Sequence, residues 1–165
     1  MKKHFSHEEI IQMDLRKRVH LINSLGGFKS VCLIGTENNK KQSNLAVFSS
    51  LIHIGSHPPL FGIISRPAAY ERHTLENILE TGFYTINHIN EDIYKQAHQT
   101  SARYDRDISE FDVTGLNREY KNDFLIPFVA ESHIQLAMEF KEKIDLQINN
   151  TVLIIGEVKY IYFPE

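Results

Sequence analysis

The chain has 165 residues, 42% of them hydrophobic and 24% charged, with a formal net charge of −3. That length suits a single domain, residues 1–165, with a core of its own. The mildly negative charge gives no reason to expect a nucleic-acid partner, and no stretch approaches the ~20 apolar residues of a membrane helix.

The N-terminus is polar and charged and does not read as a signal peptide, so the cytoplasm is the expected compartment. Ser6-His7-Glu8-Glu9 is a capping-box pattern that opens a short helix. Asp14 caps a second helix with Leu15, Val19 and Ile22 on one face, and Gly26-Gly27 stops it. Residues 1–27 therefore form an N-terminal helical segment. Ser30 to Thr36 is a short apolar run that reads as a buried strand. It holds the single cysteine, Cys32, which has no partner for an internal disulfide and no neighbour that would activate a thiol.

Residues 37–42 make a polar turn. Asn44 to Ile54 reads as one long strand, and His57-Pro58-Pro59 breaks the chain. Leu60 to Ser65 is a further apolar strand, ended by Arg66-Pro67. Thr74 to Glu80 is predicted helical, with Gly82 as its stop. In Phe83 to Ile89, Tyr84, Ile86 and His88 alternate against Phe83, Thr85 and Asn87, as in a strand. A short helix is expected over Asp92 to Thr100, and a polar surface excursion over Arg103 to Glu110. The alternation of Ile134, Leu136, Met138 and Phe140 continues through Ile144, Leu146 and Ile148. Asn149-Asn150 is a candidate type I′ hairpin turn before a returning strand, Val152 to Tyr162. The count comes to about six strands. They lack regular crossover helices, so an antiparallel barrel with helical inserts fits better than a doubly wound sheet.

Motifs for several chemistries are absent. There is no GxGxxG, no phosphate loop and no GxSxG elbow. His53 and His57 stand four apart, but Gly55, Ser56 and the prolines argue against a helix there, and no metal site is expected. The positive signal is a set of phosphate-binding groups. Arg66 places a guanidinium at the end of an apolar strand, where it can face a ligand or simply mark the exit to solvent. His73-Thr74 stands at a helix start, where Thr74 can serve an anion or act as an ordinary cap. Ser49 and Ser50 are unusual in a strand if packing is their only role. Asn44 can hydrogen-bond a flat polar ring or the chain attached to it. Together the set suits a phosphate joined to such a ring.

Five segments in order carry a resemblance. They are Ser43-Asn44-Leu45-Ala46-Val47-Phe48-Ser49-Ser50, Pro58-Pro59-Leu60, Arg66-Pro67, His73-Thr74-Leu75-Glu76-Asn77-Ile78 and Tyr84-Thr85-Ile86-Asn87-His88. This pattern resembles the flavin reductase-like, FMN-binding split-barrel family, nearest its flavoprotein-oxygenase-like branch. The segment Ile22 to Lys29, the run Ala97 to Ala102 and Ser109-Glu110-Phe111 extend the match.

The resemblance implies a mainly β fold with helical inserts, a six-stranded antiparallel Greek-key split barrel. It also implies a homodimer with FMN at the subunit interface. By the same resemblance, Asn44, Ala46, Ser49 and Ser50 line the isoalloxazine and phosphate. Arg66, His73, Thr74 and Asn77 hold the phosphate side, Asn87 is an edge contact or supports one, and His98 is a candidate near the substrate face. The implied activity is hydride transfer from NAD(P)H to FMN. The alternatives are a non-enzymatic flavin carrier and a flavin-dependent oxygenase of a small organic substrate. Family members usually run some tens of residues beyond Phe163-Pro164-Glu165; if such a tail helps cover the flavin or build the dimer, a chain without it has a more open site, and the resemblance does not fix its substrate specificity.

Overall fold

The computed structural model describes residues 4–67, 72–121 and 123–165. Two short helices come first, α1 (His7–Gln12) and α2 (Leu15–Ser24). Ser6 and Glu9 form the expected capping box, and the Asp14 carboxylate accepts from Lys17 N at 3.1 Å. Neither helix buries a residue, so the apolar face of Leu15, Val19 and Ile22 is exposed.

Four strands follow: β1 (Cys32–Glu37), β2 (Ser43–Phe48), β3 (Ile52–Ser56) and β4 (Pro59–Ser65). Then come α3 (His73–Thr81), β5 (Phe83–His88), α4 (Tyr94–Gln99), α5 (Glu110–Thr114), β6 (Arg118–Lys121), β7 (Phe124–Val129), β8 (Gln135–Leu146) and β9 (Thr151–Tyr162). Seven strands form one antiparallel sheet in the order β2-β1-β5-β8-β9-β4-β3, and β6-β7 is a separate hairpin. The fold is mainly β with helical inserts, as expected, but the described residues hold nine strands rather than six.

Part of that difference is the run from Asn44 to Ile54, which is two strands and not one. β2 and β3 lie at opposite edges of the seven-stranded sheet, yet only residues 49–51 separate them. Laid flat, those edges would stand roughly 29 Å apart, at about 4.8 Å per strand. The steps from Phe48 to Ile52 span at most about 14 Å. The sheet must therefore curl until its edges meet, and the chain crosses the seam at Ser49-Ser50-Leu51.

Ser50 explains how the crossing is tolerated. Its Oγ accepts from Ile64 N at 3.0 Å and donates to Ile64 O at 3.3 Å. The register that pairs Ile52 with Gly62, if continued, sets residue 50 opposite Ile64. The hydroxyl thus takes over the backbone bonds that β3 leaves unmade.

The remaining extra strands, with α5, lie in the irregular stretch where the sequence carries no clear period. β7 packs across the outer face of the sheet. Thr85 Oγ1 donates to Pro127 O at 2.8 Å, and Val129 N donates to Asn87 Oδ1 at 3.0 Å. Gly35 is required beneath it, because a Cβ there would collide with Thr85 Oγ1 and the Pro127 carbonyl.

The two sheet faces build separate cores. Inside the curl, Cys32, Ile34, Ile63, Tyr84, Ile86, Met138 and Ile154 pack with Ile78 of α3. On the other face, Leu33 and Leu45 pack with Ile93, Ala97, Phe111 and Val129. The alternation read from β5 is the alternation between these faces. The β8–β9 connection is not a type I′ turn, which needs positive φ at both central residues. Among the described non-glycine residues only Lys41 and Asn150 have positive φ. Instead, Asn149 Oδ1 accepts from Thr151 N and Thr151 Oγ1 at 3.1 and 2.8 Å.

Candidate functional site

α3 is the element around which the candidate residues gather. Its sequence is amphipathic, and Gly82 in the left-handed conformation ends it, at φ 77°. Two polar side chains on its buried face fasten it to the sheet. Asn44 Nδ2 donates to Thr74 Oγ1 at 3.0 Å, and Asn77 Nδ2 donates to Thr36 Oγ1 at 3.1 Å. These bonds join the helix to β2 and β1, since Asn44 and Thr36 are register partners. Buried polar groups paired in this way specify one seating of the helix.

The start of α3 has no side-chain cap among the described residues. Arg72 occupies the N-cap position and its side chain caps nothing. Its Nη2 donates to Pro67 O at 3.0 Å, which draws the guanidinium back toward the end of β4. Its Nε is buried and has no hydrogen-bond partner among the described residues. A buried donor on a charged group is costly unless an acceptor reaches it. Arg66 stands nearby, exposed, and with Pro67 and Leu75 lines a recess of about 560 Å³ closed on its far side by the β8–β9 hairpin. Arg66 at the recess and Arg72 at the helix start are guanidiniums of the kind that hold a phosphate, with Asp145 of the hairpin also on the recess wall. A second recess, of about 500 Å³, lies toward the other end of α3 and is lined by Lys40 and Arg106 against Glu80 and Asp107. It holds charges of both signs.

Arg72 is the residue that sequence reasoning missed. It directly precedes His73-Thr74, and an arginine immediately before a helix that follows Arg66-Pro67 is the signal that could have found it.

The other expected positions divide. His73 is half-buried at the helix start, and Ala46 is half-buried on the same strand as Asn44. Ser49 is exposed at the seam. Ser50 is at the seam too, but its hydroxyl is engaged by Ile64, so its side chain holds the sheet together. Asn87 lies in the core. It is fully buried; its Nδ2 donates to Leu33 O and Thr85 Oγ1 at 3.2 and 2.9 Å, and its Oδ1 accepts from Val129 N. It brackets β1, β5 and β7 from within. His98 is exposed on α4.

Two acidic residues complete the surroundings. Glu110 of α5 is buried, and its Oε2 accepts from Leu45 N at 2.9 Å, blocking the free edge of β2. Burial pushes its carboxyl upward, against the bonds from Leu45 N and its own backbone and the charge of His73. Glu76, in the first turn of α3, accepts from Arg72 N at 3.2 Å and pairs with Arg106. Burial opposes its ionisation, but the bonds from Arg106 and Arg72 and the charges of Arg106 and His73 hold it below the usual carboxylate range.

The model of the flavin reductase like domain matches residues 28–165. The chain belongs to the flavin reductase-like family. A solved structure from Shewanella frigidimarina NCIMB 400, described as a candidate flavin reductase with a split barrel domain, is 52% identical. It superposes with a TM-score of 0.96, and the alignment covers 99% of this chain and 81% of that one. Nitrilotriacetate monooxygenase component B from Bacillus cereus is 18% identical with a TM-score of 0.86, covering 100% of this chain and 83% of that one. The NADH:FAD oxidoreductase of Streptomyces globisporus C-1027 is 15% identical with a TM-score of 0.74, covering 92% and 86%. At these lower identities the likeness is one of fold. No curated protein matches the chain.

Membership of the flavin reductase-like family implies a flavin, and the residues present fit one. The Arg72 Nε, without a partner among the described residues, suits a phosphate oxygen, and Arg66 lines a recess with Leu75 of α3. No cluster among the described residues could hold a metal ion, and no helix there is long and apolar enough to cross a membrane.

Proposed function

We propose that this chain binds FMN with its phosphate at the start of α3, and that it promotes reduction of the flavin by NAD(P)H. The observation that carries the reading is the buried Nε of Arg72, without a partner among the described residues, at the start of α3 in a flavin reductase-like domain. Arg72 and Arg66 take the phosphate, with His73 and the first-turn N–H groups of α3 beside them. Asn44 and Thr74 hold β2 and α3 in the relation that shapes the site, and Ala46 and Ser49 offer β2 and the seam as the wall for the ring system. When bound, the flavin supplies the two-electron chemistry. The chain's part is to bind and orient it and to leave one face open for a stacked nicotinamide.

We further propose that the chain works as a homodimer in the cytoplasm. The support for the dimer is apolar surface that one copy leaves uncovered. Leu15, Val19, Ile22 and Phe28 are exposed at the N-terminus, as are Tyr160, Ile161 and Phe163 at the end of β9.

The test is anaerobic mixing of the FMN-loaded protein with NADH and, separately, with NADPH. Flavin absorbance is expected to bleach faster with one nucleotide than in the same mixture without protein. If neither does so while FMN is bound tightly, the chain is a flavin carrier and the reductase reading fails.

A further inference from the structure

Arg106 comes from the loop between α4 and α5, about thirty residues from α3 in sequence, yet it ends on the first turns of that helix. Its Nη1 pairs with the Glu76 carboxylate, and its Nη2 donates to Asn77 Oδ1 at 3.4 Å. Asn77 in turn donates to Thr36 of β1. The same Glu76 carboxylate reaches back to Arg72 N at 3.2 Å. Glu76 is thus bonded to the residue whose guanidinium carries the unpartnered Nε.

This placement creates a conflict of charge. A carboxylate in the first turn stabilises a helix through its dipole, but it repels an anion brought to the same turn. Arg106 is the side chain paired with that carboxylate. We propose that Arg106 is a positioning residue for the anionic end of the flavin. It neutralises Glu76 and holds the first turn of α3, so that Arg66 and Arg72 act on the phosphate unopposed. This inference rests on the reading that the flavin phosphate sits at the start of α3. The Arg106–Glu76 pair is part-exposed, so the effect is moderate and screened by salt.

The experiment measures FMN and riboflavin affinities by fluorescence quenching, at low and high ionic strength, in the full chain. The variants are Arg106→Gln, Arg106→Lys and the double variant Arg106→Gln with Glu76→Gln. Glutamine at 76 keeps the acceptor for Arg72 N and removes the charge. Arg106→Gln is expected to weaken FMN about five- to tenfold at low ionic strength, less at high, and to change riboflavin less than about twofold. Arg106→Lys should retain most of the FMN affinity, and the double variant should regain it.

An Arg106→Gln protein that loses FMN and riboflavin equally, or that Glu76→Gln does not rescue, overturns the inference and leaves Arg106 a structural brace. A parent that prefers FMN, with Arg106→Gln unchanged, overturns the inference alone. A parent that binds the two flavins equally overturns the phosphate reading and this inference with it.

Discussion

Asn44 Nδ2 donates to Thr74 Oγ1 across 3.0 Å, and both residues are buried. The bond joins an edge strand to the first turn of a helix thirty residues away and, with the Asn77–Thr36 bond, seats that helix on the sheet. Asn44→Ala is expected to lower unfolding free energy by about 1–2 kcal/mol, because it strands a buried hydroxyl. It should weaken FMN and riboflavin alike, since strand and helix lose their relation. Urea denaturation and flavin titration check both parts, and an effect confined to FMN would move Asn44 to the phosphate.

Arg72 and Arg66 differ in burial, and their substitutions should differ in the same order. A charge-assisted bond in a part-buried site is worth roughly 1.5–3 kcal/mol, or tenfold and more in affinity. Arg72→Ala is expected to weaken FMN by about that factor, Arg66→Ala by less, and neither should move riboflavin by more than about twofold. Titration of the two variants with both flavins decides it. A larger loss from Arg66→Ala would place the phosphate in the recess beside the β8–β9 hairpin.

Tyr84 Oη is buried in the core of the curl with no partner among the described residues, and burial, then the nearby Cys32, pushes its hydroxyl well above the usual range. Gly156 faces it at a distance no Cβ would allow. Tyr84→Phe removes an unsatisfied group and leaves only a small void. Stability is expected to rise by about 1 kcal/mol in urea. Gly156→Ala should be destabilising, and neutrality there would mean that the ring can move aside.

Glu110 supplies a pH dependence whose sign is fixed by burial. Its folded carboxyl lies above its ordinary value, so folding favours the protonated form. That contribution is complete below the unfolded pKa and is lost as pH rises through the folded one. Glu110→Gln keeps an acceptor for Leu45 N without the charge. The variant's stability relative to the parent should therefore rise with pH through the range just above that of an ordinary glutamate, then level off. Denaturation curves at a series of pH values read the difference, and a flat difference would show that His73 and the backbone bonds offset burial in full.

Cys32 lies at 1% exposure, and burial pushes its thiol up to about 12. An aromatic disulfide reagent at mildly alkaline pH should leave the native protein unlabelled and label it on unfolding. Rapid native labelling would show that the core opens locally around β1.

Local patterns in the chain were sufficient for the helix starts at Ser6 and Asp14, the stop at Gly82 and the two faces of Phe83 to His88. Each depends on residues within a few positions of one another, where caps, positive φ and side-chain alternation act. The order of the motifs from Ser43 to His88 was enough to indicate the family. Which polar side chains are available to a ligand was decided by tertiary structure, because a hydroxyl or amide has the same sequence identity whether it faces solvent or a backbone. Ser50 is taken by Ile64 at a seam that exists only once seven strands curl, and Asn87 is taken by three strands in the core. The Arg72 Nε is buried without a partner among the described residues, while the Nη2 of the same guanidinium donates to Pro67 O. Glu110 and Arg106 reach β2 and α3 from an aperiodic stretch, through bonds spanning 65 and 30 residues. Such pairings follow from how the sheet closes, and no local period in the sequence records them.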